Sequence, residues 1–178
     1  INKNNLRILI IGGSQSSKFF TNKLKNEIIK LSSNFKIELT QQLSQGFDID
    51  NYRQGYNKNK ITNKLFFFEK DFLCKNKSFD IAITRSGAST LSELVHLNIP
   101  FIAIPFPYST DNHQFHNAKR YKDLNCCWIL EEKNFNSDDI YKMIYKVITN
   151  ENDYLDKKNS LKKFNENTSW ENINKNLK

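Results

Sequence analysis

Short, fully apolar runs alternate along this chain with stretches in which apolar residues recur at helical spacing. "LRILII" from Leu6 is such a run, whereas Phe19, Leu24, Ile28 and Leu31 are spaced for one face of a helix. The predicted strands are Leu6–Gly13, Phe35–Thr40, Lys64–Phe68, Asp80–Gly87, Pro100–Phe106 and Cys126–Leu130. The predicted helices are Lys18–Leu31, Asp48–Tyr56, Ser89–Leu97, Asp111–Leu124, Ser137–Ile148 and Asp153–Phe164. Because strands without polar alternation are typical of parallel sheets, the pattern predicts an α/β fold with a doubly wound parallel sheet of about six strands.

The pattern also indicates one folded unit. At 178 residues the chain is long enough for a single domain with its own core. We assign residues 1–165 to this domain and residues 166–178 to a polar C-terminal tail. No apolar run approaches the roughly 20 residues of a membrane-spanning helix, so insertion into a membrane is not predicted.

Composition narrows the class of partner. The formal net charge is +8, which can attract an anionic partner or simply reflect lysines on solvated helix faces. No segment combines dense Lys and Arg with interleaved aromatic residues, so no nucleic-acid partner is predicted. Cys74, Cys126 and Cys127 fit neither a disulfide framework nor a zinc spacing, and they indicate a reducing, cytoplasmic location.

The loops that follow the strands are the candidate site, because a doubly wound sheet binds its ligands outside the carboxyl ends of its strands. "GGSQSS" follows the first strand and opens a helix, where glycines admit a ligand and free amides suit a phosphate. It lacks the Gly-Lys-Ser/Thr of a Walker A loop and the G-x-G-x-x-G of a dinucleotide-binding loop. A tight turn capped by Ser14 and a phosphate site that includes Ser14 and Gln15 are both open interpretations.

"RSGASTLSE" (Arg85–Glu93) is the second candidate loop. Thr90 and Glu93 have the T-x-x-E spacing of a capping box, which would only stabilise the start of a helix. Alternatively, the amides of Ala88–Leu91 hold a diphosphate at the helix N-terminus, and Glu93 accepts the two hydroxyls of a ribose. Both interpretations are open at this point.

A third polar segment, "YSTDNHQFHNA", follows the fifth strand. Gln114 and Asn117 lie three residues apart on one helix face, and their side-chain amides suit sugar hydroxyls. His113 and His116 have no third ligand nearby, so no metal site is predicted. No nucleophile–base pair and no close carboxylate pair stands out, so the chain is expected to bind a substrate without supplying a general base.

These loops resemble a known family. "IGGSQSS" followed by "TRSGASTLSELVHLNIPFIAIPFPYSTDNHQFHNA" is similar to the C-terminal, donor-binding domain of glycosyltransferase family 28, the MurG-type enzymes. The similarity covers residues 6–165 and is most specific in Arg85–Asn117. It implies the Rossmann-like donor half of a GT-B glycosyltransferase. The acceptor domain, which forms the N-terminal half in that family, is not part of this sequence.

The resemblance also implies residues that bind UDP-GlcNAc. They are Ser14, Gln15, Phe68, Glu69, Ala88, Ser89, Thr90, Leu91, Ser92, Glu93, Gln114 and Asn117. Ser14 is expected at the donor phosphates, Phe68 over the uracil, and the Glu69 backbone at the edge of the base. Glu93 is expected to take the ribose diol and Gln114 the GlcNAc hydroxyls.

The activity implied by the resemblance is transfer of GlcNAc from UDP-GlcNAc to lipid-linked muramoyl-pentapeptide in peptidoglycan synthesis, with inversion at the anomeric carbon. It implies no cofactor and no metal, because helix amides can carry the charge of the leaving diphosphate. The acceptor is expected to bind through the N-terminal domain, with indirect membrane contact on the cytoplasmic face of the inner membrane. Two alternatives are open: a separately encoded donor subunit of a bipartite GlcNAc transferase, and a non-catalytic nucleotide or nucleic-acid binder on the same fold.

Overall fold

Six strands, each parallel to its neighbours, form one sheet in the part of the chain that the structure describes. The structure is a computed structural model and describes residues 5–12, 17–70, 72–76, 78–132 and 137–168. The strands are β1 (Leu6–Ile11), β2 (Ile37–Gln42), β3 (Thr62–Phe66), β4 (Ile81–Thr84), β5 (Phe101–Ala103) and β6 (Cys127–Ile129). The helices are α1 (Ser17–Ser32), α2 (Ile49–Lys58), α3 (Phe72–Lys75), α4 (Ala88–His96), α5 (His113–Asp123), α6 (Ser137–Thr149) and α7 (Glu151–Thr168). The predicted α/β fold with a doubly wound parallel sheet is confirmed.

The strand order creates a switch point in the middle of the sheet. The order is β3-β2-β1-β4-β5-β6, so the chain moves outward from β1 to β3 and then outward in the other direction from β4 to β6. β1 and β4 are paired up to Ile11 and Thr84, and their carboxyl ends therefore lie side by side. In a doubly wound sheet the crevice beside such a pair is where ligands bind.

Helices cover both faces of the sheet, which explains the continuous apolar runs in the sequence. Ile8 of β1 belongs to the core layer that includes Leu24 of α1 and Ile144 of α6. Leu9, the next residue, belongs to the opposite layer together with Leu91 of α4. Because successive residues of a strand point to opposite faces, a strand that is buried on both faces needs apolar residues at every position.

The start of α5 differs from the prediction. Asp111 and Asn112 have left-handed backbone angles, with φ of 49° and 52°, and lie in a 3₁₀ turn at Thr110–Asn112. The α-helix begins only at His113. The prediction that the helix starts at Asp111 is therefore wrong. Asp and Asn tolerate left-handed backbone angles, which interrupt a helix, and the sequence pattern of polar residues does not reveal this interruption.

The segment after β3 also differs from the prediction. β3 ends at Phe66, so Phe67 and Phe68 lie beyond the strand, where the pattern had extended it to Phe68. A short helix, α3, then follows at Phe72–Lys75, in a stretch for which no element was predicted. Stacking of the Phe66 and Phe72 rings, with centroids 4.4 Å apart, holds α3 against the strand. That contact depends on tertiary packing and leaves no periodic signal.

Helix α7 packs against α4 on the same face of the sheet. It runs to Thr168, beyond the predicted end at Phe164. The Asn165 side-chain amide donates hydrogen bonds to the Val95 carbonyl oxygen at 2.7 Å and to Asn98 Oδ1 at 3.0 Å. These bonds satisfy groups at the carboxyl end of α4, where a helix leaves carbonyl oxygens without internal partners.

Candidate functional site

The carboxyl ends of β1 and β4 lie side by side, and a predicted loop follows each of them in the sequence. The loop after β4 contains Ser86 and Gly87 and leads directly into α4. The loop after β1 begins at Gly12, and the structure describes it only up to that residue. Ser14 and Gln15, which were predicted to contact the donor phosphates, therefore lie outside the described residues.

Helix α4 begins without a side-chain cap. Its N-cap is Gly87, and no side chain bonds to the first-turn amides from that position. Thr90 is the third residue of the helix rather than its cap, so the interpretation of Thr90 and Glu93 as a capping box is wrong. The first intrahelical bond runs from the Leu91 amide to the Gly87 carbonyl oxygen at 3.0 Å. The amides of residues 88–90 precede that bond and belong to the N–H groups for which a helix has no internal partner.

A cleft of about 200 Å³ lies between the start of α4 and the loop after β3. It brings together four of the predicted site residues, which come from two distant segments of the chain. Phe68 and Glu69 line it from the β3 side, and Thr90 and Glu93 line it from α4. The remaining lining residues are Ile11, Gln42, Phe66, Lys70, Phe72 and Leu73. An aromatic face, a carboxylate and a helix N-terminus are thus available within one cleft at the switch point.

Phe68 is unusual among these residues because its ring is 72% exposed although it borders an apolar cleft. The adjoining Phe66 and Phe72 rings are stacked on each other and mostly covered. An exposed ring beside a cleft offers a face on which a planar base can stack, and such stacking contributes about 1–3 kcal/mol. An exposed Phe68 ring adds little to the stability of the fold.

Two predicted residues of α4 are not brought to the cleft. The Leu91 side chain is fully buried in the core, and its amide is occupied by the Gly87 carbonyl oxygen. The Ser92 hydroxyl lies 3.4 Å from the Tyr121 hydroxyl, on the side of α4 that faces α5. Ala88 and Ser89 are exposed at the helix start. Because successive residues of a helix point in different directions, the predicted stretch 88–93 contains some residues at the cleft and others turned away from it.

Gln114 and Asn117 brace the loop in front of α4. Gln114 Oε1 accepts hydrogen bonds from the Ser86 amide at 3.2 Å and from the Phe106 amide at 3.0 Å. Asn117 Nδ2 donates to the Ser86 carbonyl oxygen at 3.1 Å. Both polar groups of the Ser86 backbone are thus held by side chains of α5. These two hydrogen bonds use the side-chain oxygen of Gln114. Its side-chain Nε2 group is the donor that it can offer to a sugar hydroxyl.

Arg85 directly follows β4 and is buried instead of facing the cleft, a role that sequence reasoning missed. Its Nη1 donates to the carbonyl oxygens of Ile104 and Pro105 at 3.2 Å each, and to the Glu132 carboxylate at 2.6 Å. Burial lowers the pKa of Arg85, although the bond to Glu132 opposes that change. The guanidinium keeps its charge, because its ordinary pKa lies far above neutrality. The sequence signal that could have indicated this burial is a single cation directly after an otherwise apolar strand.

A larger cavity of about 340 Å³ lies between the segments that follow β5 and β6 and the start of α5. Its lining residues are Pro105, Phe106, Pro107, Asn112, Phe115, Glu131 and Glu132. The N-cap of α5, Asn112, borders it, but so do two carboxylates, and that of Glu132 is already paired with Arg85. The smaller cleft combines the start of α4 with the exposed Phe68 ring, so it is the stronger candidate for a nucleotide.

The fold and the cleft define a doubly wound α/β domain with a candidate ligand site at its switch point, and comparison with known proteins assigns its family. The glycosyltransferase family 28 C-terminal domain matches residues 7–172 of this chain. The chain belongs to that family, as its loops predicted.

Relatives share both sequence and fold with this chain. It is 38% identical over 169 residues to the "UDP-N-acetylglucosamine--N-acetylmuramyl-(pentapeptide) pyrophosphoryl-undecaprenol N-acetylglucosamine transferase" of Pelagibacter ubique (strain HTCC1062), covering 95% of this chain and 47% of the relative. It is 34% identical over 147 residues to the protein of the same name from Rickettsia bellii (strain RML369-C), covering 81% of this chain and 41% of the relative. The crystal structure of Acinetobacter baumannii MurG superposes with a TM-score of 0.77 at 21% identity, covering 91% of this chain and 48% of that one. The chain thus spans about half the length of the relatives it matches.

Proposed function

We propose that this chain is the donor-binding half of an inverting hexosyltransferase that moves GlcNAc from UDP-GlcNAc to a lipid-linked muramoyl-pentapeptide. The observation that carries the proposal is the cleft in which Phe68 and Glu69 meet Thr90 and Glu93 beside the open start of α4. The names of the Pelagibacter and Rickettsia relatives supply the sugar and the acceptor. Peptidoglycan synthesis is the process in which such a transfer belongs.

In this proposal the nucleoside occupies the cleft. The uracil stacks on the exposed Phe68 ring, and the backbone at Glu69 bonds to the edge of the base. The Glu93 carboxylate accepts hydrogen bonds from both ribose hydroxyls, because one ionised carboxylate offers two oxygens to two donors. Removal of an acceptor from such a pair costs about 1–3 kcal/mol.

The diphosphate is proposed to lie at the start of α4. The amides of residues 88–90 and the helix dipole stabilise negative charge at this end, and Thr90 and Ser89 add hydroxyl donors. As the acceptor oxygen bonds to the anomeric carbon, the bond from that carbon to the phosphate oxygen breaks and its electron pair leaves with UDP. The same amides then stabilise the increased charge on the leaving UDP. Ser14 and Gln15 remain predicted contacts to these phosphates.

The sugar is proposed to extend toward α5. In this proposal Gln114 Nε2 donates to a GlcNAc hydroxyl, and the Gln114 oxygen accepts from the Ser86 and Phe106 amides. Asn117 acts mainly through Ser86. A base that takes the proton from the acceptor is expected in the acceptor-binding half, which lies outside these 178 residues.

Partners and location follow from the same proposal. The donor partner is UDP-GlcNAc, and the lipid-linked acceptor reaches this half through the acceptor domain. Within the described ranges, no helix combines the length and the apolar character that crossing a bilayer requires. We propose a peripheral enzyme on the cytoplasmic face of the inner membrane, with indirect membrane contact by this half.

Calorimetric titration of the chain with UDP-GlcNAc tests the proposal. We expect saturable binding, a loss of about 1–3 kcal/mol in Glu93→Ala, and a smaller loss in Glu93→Gln, which keeps one acceptor. Ser92→Ala is the matched control, because its hydroxyl is turned toward Tyr121. If Glu93→Ala binds UDP-GlcNAc as tightly as the original chain, Glu93 does not contact the ribose. If the original chain does not bind UDP-GlcNAc at all, the proposed function is wrong. Oligonucleotide binding that falls steeply with salt, without UDP-GlcNAc binding, would favour the nucleic-acid alternative.

A further inference from the structure

Gln42 connects the ends of both strands that flank β2. It is 4% exposed and lies at the carboxyl end of β2, between β1 and β3 in the sheet. Its Oε1 accepts a hydrogen bond from the Gly12 amide at 3.2 Å, and its Nε2 donates to the Phe67 carbonyl oxygen at 2.9 Å. One side chain thus links the first residue after β1 to the first residue after β3.

These two bonds continue the sheet where its backbone pairing ends. The β2–β3 register extends to Gln42 and Phe66, and the Leu43 amide still donates to the Phe66 carbonyl oxygen at 2.7 Å. Beyond that point the strands separate into loops. A primary amide carries the same donor and acceptor groups as a peptide, so the Gln42 side chain replaces the missing backbone partner on both sides.

The position of the bonds gives them a role in the cleft. Phe68 follows Phe67 directly, and its ring is too exposed to be held by packing. The hydrogen bond from Gln42 to Phe67 therefore fixes the backbone that carries the exposed ring. Gln42 itself lines the cleft beside Phe68 and Glu93. The backbone at Gly12, on its other side, starts the loop of the predicted phosphate contacts Ser14 and Gln15.

We propose that Gln42 is a positioning residue for the donor nucleotide, which fixes the base-side loop at residues 67–69 relative to the Gly12 backbone at the end of β1. The inference rests on the proposed function, because it assumes that the nucleotide binds in the cleft that Gln42 and Phe68 line. The amide orientation is defined by its partners, since only oxygen accepts from Gly12 and only nitrogen donates to Phe67.

Gln42→Glu is the sharpest test. It keeps the shape and the acceptor for the Gly12 amide, but it turns a carboxylate oxygen toward the Phe67 carbonyl oxygen. We expect UDP affinity near neutral pH to fall by about five- to tenfold relative to the original chain. The introduced carboxyl is buried, so its pKa lies above that of a free glutamate, and the protonated form can again donate to Phe67. The ratio of variant to original affinity should therefore recover as the pH is lowered.

A second variant and a structural readout separate positioning from simple loss of stability. Gln42→Leu lacks both polar groups, so its affinity should stay low at every pH. The Gly12 amide should exchange with solvent faster in Gln42→Leu but stay protected in Gln42→Glu, as measured by NMR. Gln54→Glu, on the exposed side of α2, is the control for added negative charge.

The outcomes distinguish this inference from the function on which it rests. If the original chain binds UDP and Gln42→Glu binds it equally well at all pH values, Gln42 does not position the nucleotide. A lower melting temperature with unchanged affinity would likewise reduce Gln42 to a structural residue. If the original chain does not bind UDP at all, the proposed function fails first.

Discussion

Asn117 holds Ser86 by a hydrogen bond of 3.1 Å from its side-chain amide to the Ser86 carbonyl oxygen. Gln114, one helical turn earlier, holds the amide of the same residue. Ser86 precedes Gly87, the N-cap of α4, so these two bonds determine where the start of α4 lies. Two residues predicted for sugar binding thus also hold the loop that precedes the proposed diphosphate site.

Asn117→Ala is expected to lower donor affinity although Asn117 lies one step removed from the cleft. Loss of the bond should destabilise the fold by about 1 kcal/mol and lower UDP affinity by about three- to tenfold, because the amides at the start of α4 lose their alignment. Thermal unfolding and calorimetric titration measure the two effects. His116→Ala, an exposed neighbour on the same helix, should change neither. Full UDP affinity in Asn117→Ala would contradict the alignment role.

Phe68→Ala should weaken nucleotide binding without weakening the fold. The ring is 72% exposed, so its removal should change the free energy of unfolding by about 0.5 kcal/mol or less. Loss of base stacking should lower the binding free energy for UDP by about 1–3 kcal/mol. Tyr108→Ala is the control, because that ring is 84% exposed on the loop after β5, away from the cleft. Equal UDP affinities of the two variants would exclude Phe68 as the stacking face.

The Arg85–Glu132 pair should be strongly coupled. Glu132→Gln leaves the guanidinium, whose side chain is 5% exposed, without its anionic partner. We expect a loss of about 2–3 kcal/mol in stability, somewhat below the roughly 3–5 kcal/mol of a fully buried pair, because Glu132 is 21% exposed. Arg85→Met combined with Glu132→Gln should cost less than the sum of the single changes. Urea unfolding of the four proteins measures the coupling, and strict additivity would contradict it.

Asp153 should make stability fall in acid. Burial by itself would raise the pKa of Asp153, but hydrogen bonds from Trp128 and Lys157 and the nearby positive charges outweigh it and lower the pKa. A carboxylate with a depressed folded-state pKa adds stability above its unfolded pKa, and this contribution is lost as the pH falls through the folded value. Asp153→Asn should therefore destabilise the chain by about 1–2 kcal/mol at neutral pH, with the difference shrinking below about pH 4.

Chemical unfolding across this pH range measures the effect, with Asp156→Asn, exposed on the same helix, as the control. A difference between Asp153→Asn and the original chain that does not depend on pH would show that the carboxylate charge contributes nothing. In that case the 2.7 Å hydrogen bond from Trp128 to Asp153 would stabilise the fold without help from the charge of the carboxylate.

The sheet and its switch point could be predicted because their signals are local. A strand buried on both faces must be apolar throughout, as in β1, and the helix between two such strands shows its own period. The approximate location of the site followed as well, because the carboxyl ends of parallel strands share one edge. Phe68, Glu69, Thr90 and Glu93 were named from the sequence, and the structure places them around one cleft.

Long-range roles could not be predicted, because they depend on which atoms meet across the sheet. The two bonds of Gln42 join residues 30 and 25 positions away in sequence. Arg85 reaches Glu132 across 47 positions. The resemblance assigned Leu91 and Ser92 to the site, but the helical turn directs the side chain of the first into the core and that of the second toward Tyr121.

Gly87 adopts φ of −65° and ψ of 134°, angles open to any residue, and an added Cβ would meet no atom within 4 Å. The backbone therefore does not demand glycine there. Serine or aspartate would supply the cap that α4 lacks and would raise stability by a few tenths of a kcal/mol. A library randomised at this position and selected only for heat resistance should enrich those capping residues. Selection for nucleotide capture should return glycine, because the space that a cap would fill is the approach to the first-turn amides.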